Sequence, residues 1–268
     1  MSSQLVAVDA GRHGTKVKCK EEGGTFWFPS AVSKAIEGHR ESLEEDLEVR
    51  YKGKAYFIGE LAQREGYPQR LMTESKVHEQ TLLEVLVSVF KSEIAGSCQV
   101  MTGLPINLYT DERERAGVKR LLEGKHDLTV NGVYREITIE KVGLALECAS
   151  SFFAKPEPGT IRILDPGART TNYATFQDGT YIGRESGTIP LGWDSVRGAD
   201  AEVMAGQIVS EIGKSWNPSD RVKIIGGNAA PLEEPLKRIG FGFAYAAEDP
   251  MFANVDGFYA IGRSLIHA

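Results

Sequence analysis

This sequence lacks the features of a metal-stapled, secreted or membrane protein. Its three cysteines, Cys19, Cys98 and Cys148, are an odd number without metal-ligand spacing. They read as free thiols in a reducing cytoplasm. No apolar run approaches the roughly 20 residues of a membrane span. The polar start Met1-Ser2-Ser3 leads into a strand pattern and is not expected to be a secretory leader. Positive charge is also in short supply: 31 Lys and Arg stand against 37 Asp and Glu, for a formal net charge of −6. That balance speaks against direct contact with nucleic acid or an acidic membrane. What remains is ordinary globular material, 41% hydrophobic and 25% charged over 268 residues. It is enough for one large domain or two small ones.

Against this plain background one pattern occurs twice. The run from Leu5 to Val8 is followed by Asp9-Ala10-Gly11 and then Thr15-Lys16. The run from Ile161 to Leu164 is followed by Asp165-Pro166-Gly167 and then Thr170-Thr171. Asp9 and Asp165, Gly11 and Gly167, and Thr15 and Thr171 are each 156 positions apart. Each unit reads as a buried strand turning tightly into a second strand, and two of them suggest two similar domains.

Strand and helix patterns alternate along the chain, which favours an α/β class with mixed sheets. Hairpins are expected for Thr15–Lys20 with Gly24–Phe28, around Tyr51–Glu60, and for Asp127–Val130 with Val133–Ile139 about Asn131-Gly132. The polar stretch Glu37–Glu48 reads as a solvated helix or loop, and Glu44-Glu45-Asp46 as a wet face. Ser75–Ala95 is the strongest helix pattern, apolar on several sides. Further helices are expected at Asp111–Gly124, Ala199–Gly213, Pro231–Gly240 and Gly257–Leu265, and strands at Cys98–Gly103 and Val222–Ile225. Pro156–Gly159 is the best linker candidate.

Taken with Ile224-Ile225-Gly226-Gly227-Asn228-Ala229 and Asn254-Val255-Asp256-Gly257, the two Asp-x-Gly units resemble the actin-like ATPase superfamily over nearly the whole chain. Phe28-Pro29-Ser30, Phe57-Ile58-Gly59-Glu60-Leu61-Ala62 and Thr102-Gly103-Leu104-Pro105 are similar to the ParM-like plasmid-segregation branch. The resemblance implies two ribonuclease-H-like domains around a nucleotide cleft. Domain I would be 1–158, with an inserted subdomain IB at about 30–74. Domain IIA would be 159–252, and a C-terminal helix at 253–268 would return to domain I. Only 61 positions separate Asp165 from Gly226, too few for subdomain IIB, and this shortening resembles the AlfA-like segregation actins.

Glycines let backbone N–H groups approach phosphate closely. By resemblance, Gly11, Thr15, Lys16, Gly167, Thr170 and Thr171 would bind the phosphates. Asp9 and Asp165 would hold Mg²⁺ through water. Gly226, Gly227 and Asn228, with Glu202 and Gln207, would receive the nucleoside of ATP, or of GTP. Catalysis would fall to Asp165 and Glu147. Glu147 resembles the water-positioning residue of ParM-like proteins, although Leu146 stands where those carry proline; a charge at a helix N-terminus is the alternative. His13 and Arg169 read as solvated loop side chains. The implied function is an ATPase that forms homopolymer filaments and moves plasmid copies through a DNA-bound adaptor, without touching DNA or membrane itself. A small metabolite kinase of the same fold, pantothenate-kinase-like, and a non-polymerising nucleotide-binding module are the alternatives.

Overall fold

The structure, a computed structural model, describes residues 4–68, 73–94 and 96–266. Two compact units emerge: residues 1–102, 112–144 and 265–268, and residues 103–111 and 145–264. Ala95, the end of the expected long helix, and residues 69–72 of the expected insert lie outside the described residues.

The first unit is built on a nine-stranded mixed sheet. Strands β1 (Gln4–Ala10), β2 (Gly14–Lys18) and β3 (Thr25–Pro29) form an antiparallel meander. The sheet also contains β4 (Val32–Lys34), β5 (Leu47–Tyr51), β6 (Lys54–Ile58), β7 (Ser97–Leu104), β8 (Gly124–Val130) and β9 (Val133–Leu146). Their order is β3-β2-β1-β7-β9-β8-β5-β6-β4. From Leu5 to Ala10, β1 is buried on both faces, as suits a strand covered by other elements and paired in parallel with β7. Positive φ at Lys52-Gly53 and at Asn131-Gly132 closes the β5–β6 and β8–β9 hairpins, the geometry that two-residue hairpin turns require. The polar stretch after Glu37 forms no helix. Its Asp46 carboxylate accepts from the Leu43 amide at 3.0 Å and from Arg64 at 2.8 Å, and β5 follows at once.

Helix α1 (Glu60–Glu65) follows β6, and α2 (Glu79–Lys91) packs on β1. The sequence places the start of α2 four residues too early. His78 caps it, its ring accepting from the Thr81 amide at 3.1 Å. The preceding Ser75 and Lys76 instead bind Glu114, at 2.6 Å for the Lys76 amide. Helix α3 (Ile106–Tyr109) belongs to the second unit, and α4 (Glu112–Leu122) to the first.

The second unit has a six-stranded sheet of β10 (Thr160–Pro166), β11 (Thr171–Gln177), β12 (Thr180–Tyr181), β13 (Gly187–Ile189), β14 (Arg221–Ile224) and β15 (Ala244–Ala246). Alternation along β10 sends Leu164 into a core with α5 (Ala201–Ile212) and α6 (Ala230–Ile239). Ile161 and Ile163 enter the opposite core, with Phe152, Phe176 and Ala253. Phe152 and Phe176 stack there at 4.1 Å. The last helix, α7 (Ala253–Ile266), takes in Asn254-Val255-Asp256 as its first turn. Residues 178–200 fold back onto their own sheet: Ile189, Trp193 and Val196 join the core beneath α5.

Arg162 points toward the α5 side and is nearly sealed, 6% exposed. It donates to Asp220 and to Thr175 at 2.7 Å each, pairs with Glu185, and lies 5.5 Å from the Trp216 ring centroid. Glu185 also accepts through its carbonyl from Trp216 and Thr175. This buried ion cluster fixes the short segment after β12.

Candidate functional site

Both Asp-x-Gly units have the same geometry. In the first, Asp9 pairs with Lys16 and Ala10 with Thr15 across β1 and β2. In the second, Asp165 pairs with Asn172 and Pro166 with Thr171 across β10 and β11. The Gly11 amide returns to the Asp9 carbonyl at 3.0 Å, and the Gly167 amide to the Asp165 carbonyl at 3.1 Å. On its other edge each aspartate-bearing strand pairs in parallel, with β7 in one unit and β14 in the other.

In the first unit Asp9 is buried at 7% exposure, and the Lys16 ammonium stands 3.9 Å from its carboxylate. Gly11 leaves the space in front of them open: a Cβ there would lie 2.9 Å from the Gly14 carbonyl oxygen and 3.1 Å from Lys16 Nζ. Thr15 faces the other way. Neighbours in a strand project to opposite faces, so Thr15 and Lys16 diverge. Thr15 is fully buried, and its hydroxyl meets that of Ser30 at 2.8 Å.

In the second unit the same parity holds. Thr171 is fully buried and donates to the Leu191 carbonyl at 2.8 Å. Thr170 is half-buried in the loop itself. The loop is held through its carbonyls: Trp193 N–H donates to Gly167 at 3.1 Å and Asp194 N–H to Ala168 at 2.8 Å. Fixing the carbonyls on one side turns the intervening amides elsewhere, as an anion-binding loop requires.

Asp165 receives a hydrogen bond from Asn254 Nδ2 at 2.8 Å, and Asn254 Oδ1 accepts from the Cys148 amide at 2.9 Å. Gly226 faces the other carboxylate oxygen; a Cβ there would stand 2.7 Å from Asp165 Oδ1, and its φ of +89° also suits glycine. In the sequence Asn254 stands only as part of a connecting segment, with nothing to mark this contact. Asp165 and Asn254 are 89 residues apart, and no local pattern marks such a pair.

Glu147 sits just past β9, 8% exposed. Its carbonyl accepts from the Ala149 amide at 2.8 Å, closing a three-residue turn with Cys148 at φ +67° and ψ −64°. This γ-turn is rare and strained. It is held from three directions. The Glu147 amide donates to Leu104 at 2.9 Å, Asn254 takes the Cys148 amide, and the Cys148 side chain is fully buried. Burial, with Asp165 and Glu147 nearby, drives the thiol well above its usual range, so it stays neutral. Gly103 makes room for the turn: a Cβ on it would lie 2.7 Å from Glu147 Cγ.

The expected nucleoside residues divide. Gly226, Gly227 and Asn228 form the loop after β14, with Gly227 and Asn228 exposed. Glu202 and Gln207 lie on the exposed side of α5, where Glu202 pairs with Arg238 of α6. Asp165, Glu147 and Gly226 are thus gathered around Asn254, whereas Glu202 is engaged on a helix surface.

The N-terminal domain of the actin-like proteins is matched across residues 7–149. The chain belongs to the actin-like protein family. Sequence comparison with curated proteins gives no match. Among solved structures, the actin-like fold extends over the whole chain. An AlfA filament bound to AMPPNP matches with a TM-score of 0.78 at 18% identity, covering 99% of this chain and 98% of that one. AlfA from the B. subtilis plasmid pLS32, also in a filament, matches at 0.78 with 20% identity, covering 96% and 98%. A 15-stranded ParM filament from Clostridium botulinum matches at 0.82 with 17% identity, covering 98% and 100%. No helix among the described residues is long and apolar enough to cross a membrane.

Proposed function

We propose that this actin-like protein binds ATP, with GTP as the alternative purine, hydrolyses it with Mg²⁺, and polymerises into filaments in the cytoplasm. The observation that carries the reading is the repeated loop: two Asp-x-Gly turns with matching register, each after a buried aspartate and each with its glycine close against the carbonyl three residues on. The AlfA structure bound to AMPPNP and the ParM filament support nucleotide use and self-assembly by analogy.

The residues present fit a water-held Mg²⁺. Each unit offers one buried loop carboxylate, Asp9 or Asp165. No cluster of three or more His, Cys, Asp or Glu occurs among the described residues, so direct all-protein coordination is not what this donor set suits. When bound, the ion would neutralise charge on the phosphoryl oxygens. Gly11 and Gly167 open the loops to phosphate, Lys16 supplies a fixed cation, and Thr170 a hydroxyl. Thr15 and Thr171 act as braces, since both hydroxyls are buried against Ser30 and Leu191. Gly226, Gly227 and Asn228 receive the nucleoside, with Glu202 and Gln207 at the margin. Glu147 orients the attacking water, its carboxylate set by the strained turn at Cys148.

Ile189, Trp193 and Val196 tie residues 178–200 to their own core, which supports a second domain without subdomain IIB, in an AlfA-like arrangement. The net charge of −6 favours plasmid segregation through a DNA-bound adaptor over direct DNA binding. Sedimentation and electron microscopy with Mg²⁺ and ATP, GTP or ADP test the proposal. Filaments with a triphosphate are expected; a protein that stays monomeric across concentration and salt would overturn it.

A further inference from the structure

Ser30, which braces Thr15, and the buried carboxylate of Glu84, which has no part in the roles above, meet behind the first loop. Ser30 is the node. Its amide donates to the His13 carbonyl at 3.2 Å, and its hydroxyl meets Thr15 at 2.8 Å. Its carbonyl accepts from Gln80 Nε2 at 2.8 Å, and the same Nε2 donates to Glu84 at 2.9 Å. Gln80 thus bridges the Ser30 carbonyl and the Glu84 carboxylate. Alongside, Lys76 Nζ donates to the Ala10 carbonyl at 2.5 Å, one residue past Asp9. Thr15, Ser30, Lys76 and Glu84 are all buried.

We propose that Glu84, acting through Ser30 and Gln80, is a positioning residue for the first Asp-x-Gly loop, and that the order of the loop depends on the charge of that carboxylate. An ionised carboxylate only accepts hydrogen bonds. Glu84 therefore holds Gln80 Nε2, and with it the bond from that amide to the Ser30 carbonyl. The amide then has one orientation and the loop one position. A protonated Glu84 has a donor of its own, and the orientation is lost.

The surroundings place this change near neutrality. Burial pushes the carboxyl up to about 7, against the opposing pull of Gln80, Lys76, Arg12 and Ser30. The charges acting on Glu84 are thus the cations Lys76 and Arg12. His78, just before α2, is held near 4 by burial and by those cations, and stays neutral. From the elements packed on α2, β1 brings Asp9, paired with Lys16. β8 brings His126, bonded to Tyr51 and to the Leu122 carbonyl, and α4 brings Glu114, bound to Ser75 and Lys76. In a helix whose other buried positions are mostly apolar, a charge is costly unless it has a task.

The effect on nucleotide rests on the phosphate role proposed for this loop; the positioning itself does not. The test is therefore made in two parts. Hydrogen–deuterium exchange over residues 10–16 is followed without nucleotide at pH 6 and pH 8, corrected for intrinsic rates, in wild type, Glu84→Gln and Ser30→Ala. Wild-type amides should exchange several-fold more slowly at pH 8 than at pH 6. Both variants should exchange fast at both pH values, with residues 82–90 and 160–166 unchanged as folding controls. Wild-type protection in both variants would overturn the proposal. If Glu84→Gln does not fold, Ser30→Ala and the pH response of the wild type decide the matter. Mg-ATP titration of the same proteins should give affinity that falls several-fold from pH 8 to pH 6 in wild type and stays flat in Glu84→Gln. KM should rise in that variant while kcat holds. A wild type that binds no nucleotide at either pH would refute the phosphate reading, and the exchange data would still judge the positioning.

Discussion

Gly192 is the most stringent single probe of the second loop. Its φ of −144° is ordinary extended backbone, so any residue accepts the conformation and only space is at issue. A Cβ at this position would meet the Ala168 carbonyl carbon and oxygen and the Arg169 amide nitrogen, each at 2.4 Å. Ordinary contact begins at 3.4 Å, so Gly192→Ala forces the loop and the 192–194 segment apart by about 1 Å. The atoms in the way are backbone, which no rotamer change can move. The bonds from Trp193 to Gly167 and from Asp194 to Ala168 would stretch past useful range, each at a cost of about 1 kcal/mol. Overpacking of this kind costs roughly 1–3 kcal/mol in all. A loop displaced by 1 Å from a reacting group can lower turnover about 100-fold. Mg-ATP affinity should drop about tenfold, the equivalent of one charge-assisted hydrogen bond. Urea denaturation and titration with a fluorescent nucleotide, run on the same preparation, separate the two effects. Gly242→Ala, where a Cβ would meet nothing within 4 Å, serves as the control and should leave affinity unchanged. A folded Gly192→Ala protein with wild-type affinity would show that the loop after β10 does not bind phosphate.

Other substitutions probe the remaining elements. Glu147→Ala should bind nucleotide normally but release phosphate more slowly and form longer-lived filaments; unchanged turnover would remove Glu147 from water positioning. Arg162→Met should cost about 3–5 kcal/mol in thermal or urea denaturation, because it strands the Glu185 and Asp220 carboxylates that Arg162 pairs with; a loss under about 1 kcal/mol would contradict the buried ion cluster. Glu84 should weaken the fold as pH rises: its carboxyl lies at about 7 when folded against 4.5 ordinarily, so the stability of its neutral form is complete below 4.5 and is lost as pH climbs through 7. The full difference is about 3 kcal/mol, and Glu84→Gln should therefore gain on wild type between pH 5 and pH 8; a gap that stays constant would refute the buried titration.

What the sequence made legible follows a physical line. The two loops stand out because their chemistry is local: an aspartate, a glycine and a threonine at fixed spacing, repeated after 156 residues. The hairpin at Asn131-Gly132 is legible because that dipeptide suits the backbone of one turn. Helices α5 and α6 fall within two residues of their expected bounds, although Val203 of α5 is exposed. The start of α2 was not legible, because Ser75 and Lys76 are drawn out of the helix by Glu114, 38 or more residues away. The contact between Asn254 and Asp165 was hidden for the same reason. The burial of Thr15 could have been read directly. Lys16 and Thr15 are strand neighbours, so if one faces a ligand the other faces the core.

The repeated unit also shows how two like loops can be held by unlike means. At the position of Lys16 the second loop has Asn172, buried and bonded to the Thr188 hydroxyl at 2.7 Å. At this strand position, therefore, the first loop carries a cation and the second an amide. Behind the first loop stand side chains, Ser30, Gln80, Glu84 and Lys76, one of them a carboxylate that titrates near neutrality. Behind the second stand mainly backbone groups, the amides of Trp193 and Asp194 and the carbonyl of Leu191, pressed close by Gly192. Side-chain bracing responds to protonation and tolerates small shifts; backbone bracing ignores pH and does not tolerate an added Cβ. The first loop should accordingly be the tunable one and the second the rigid one. Charge-altering substitutions should act on the first and volume-altering substitutions on the second.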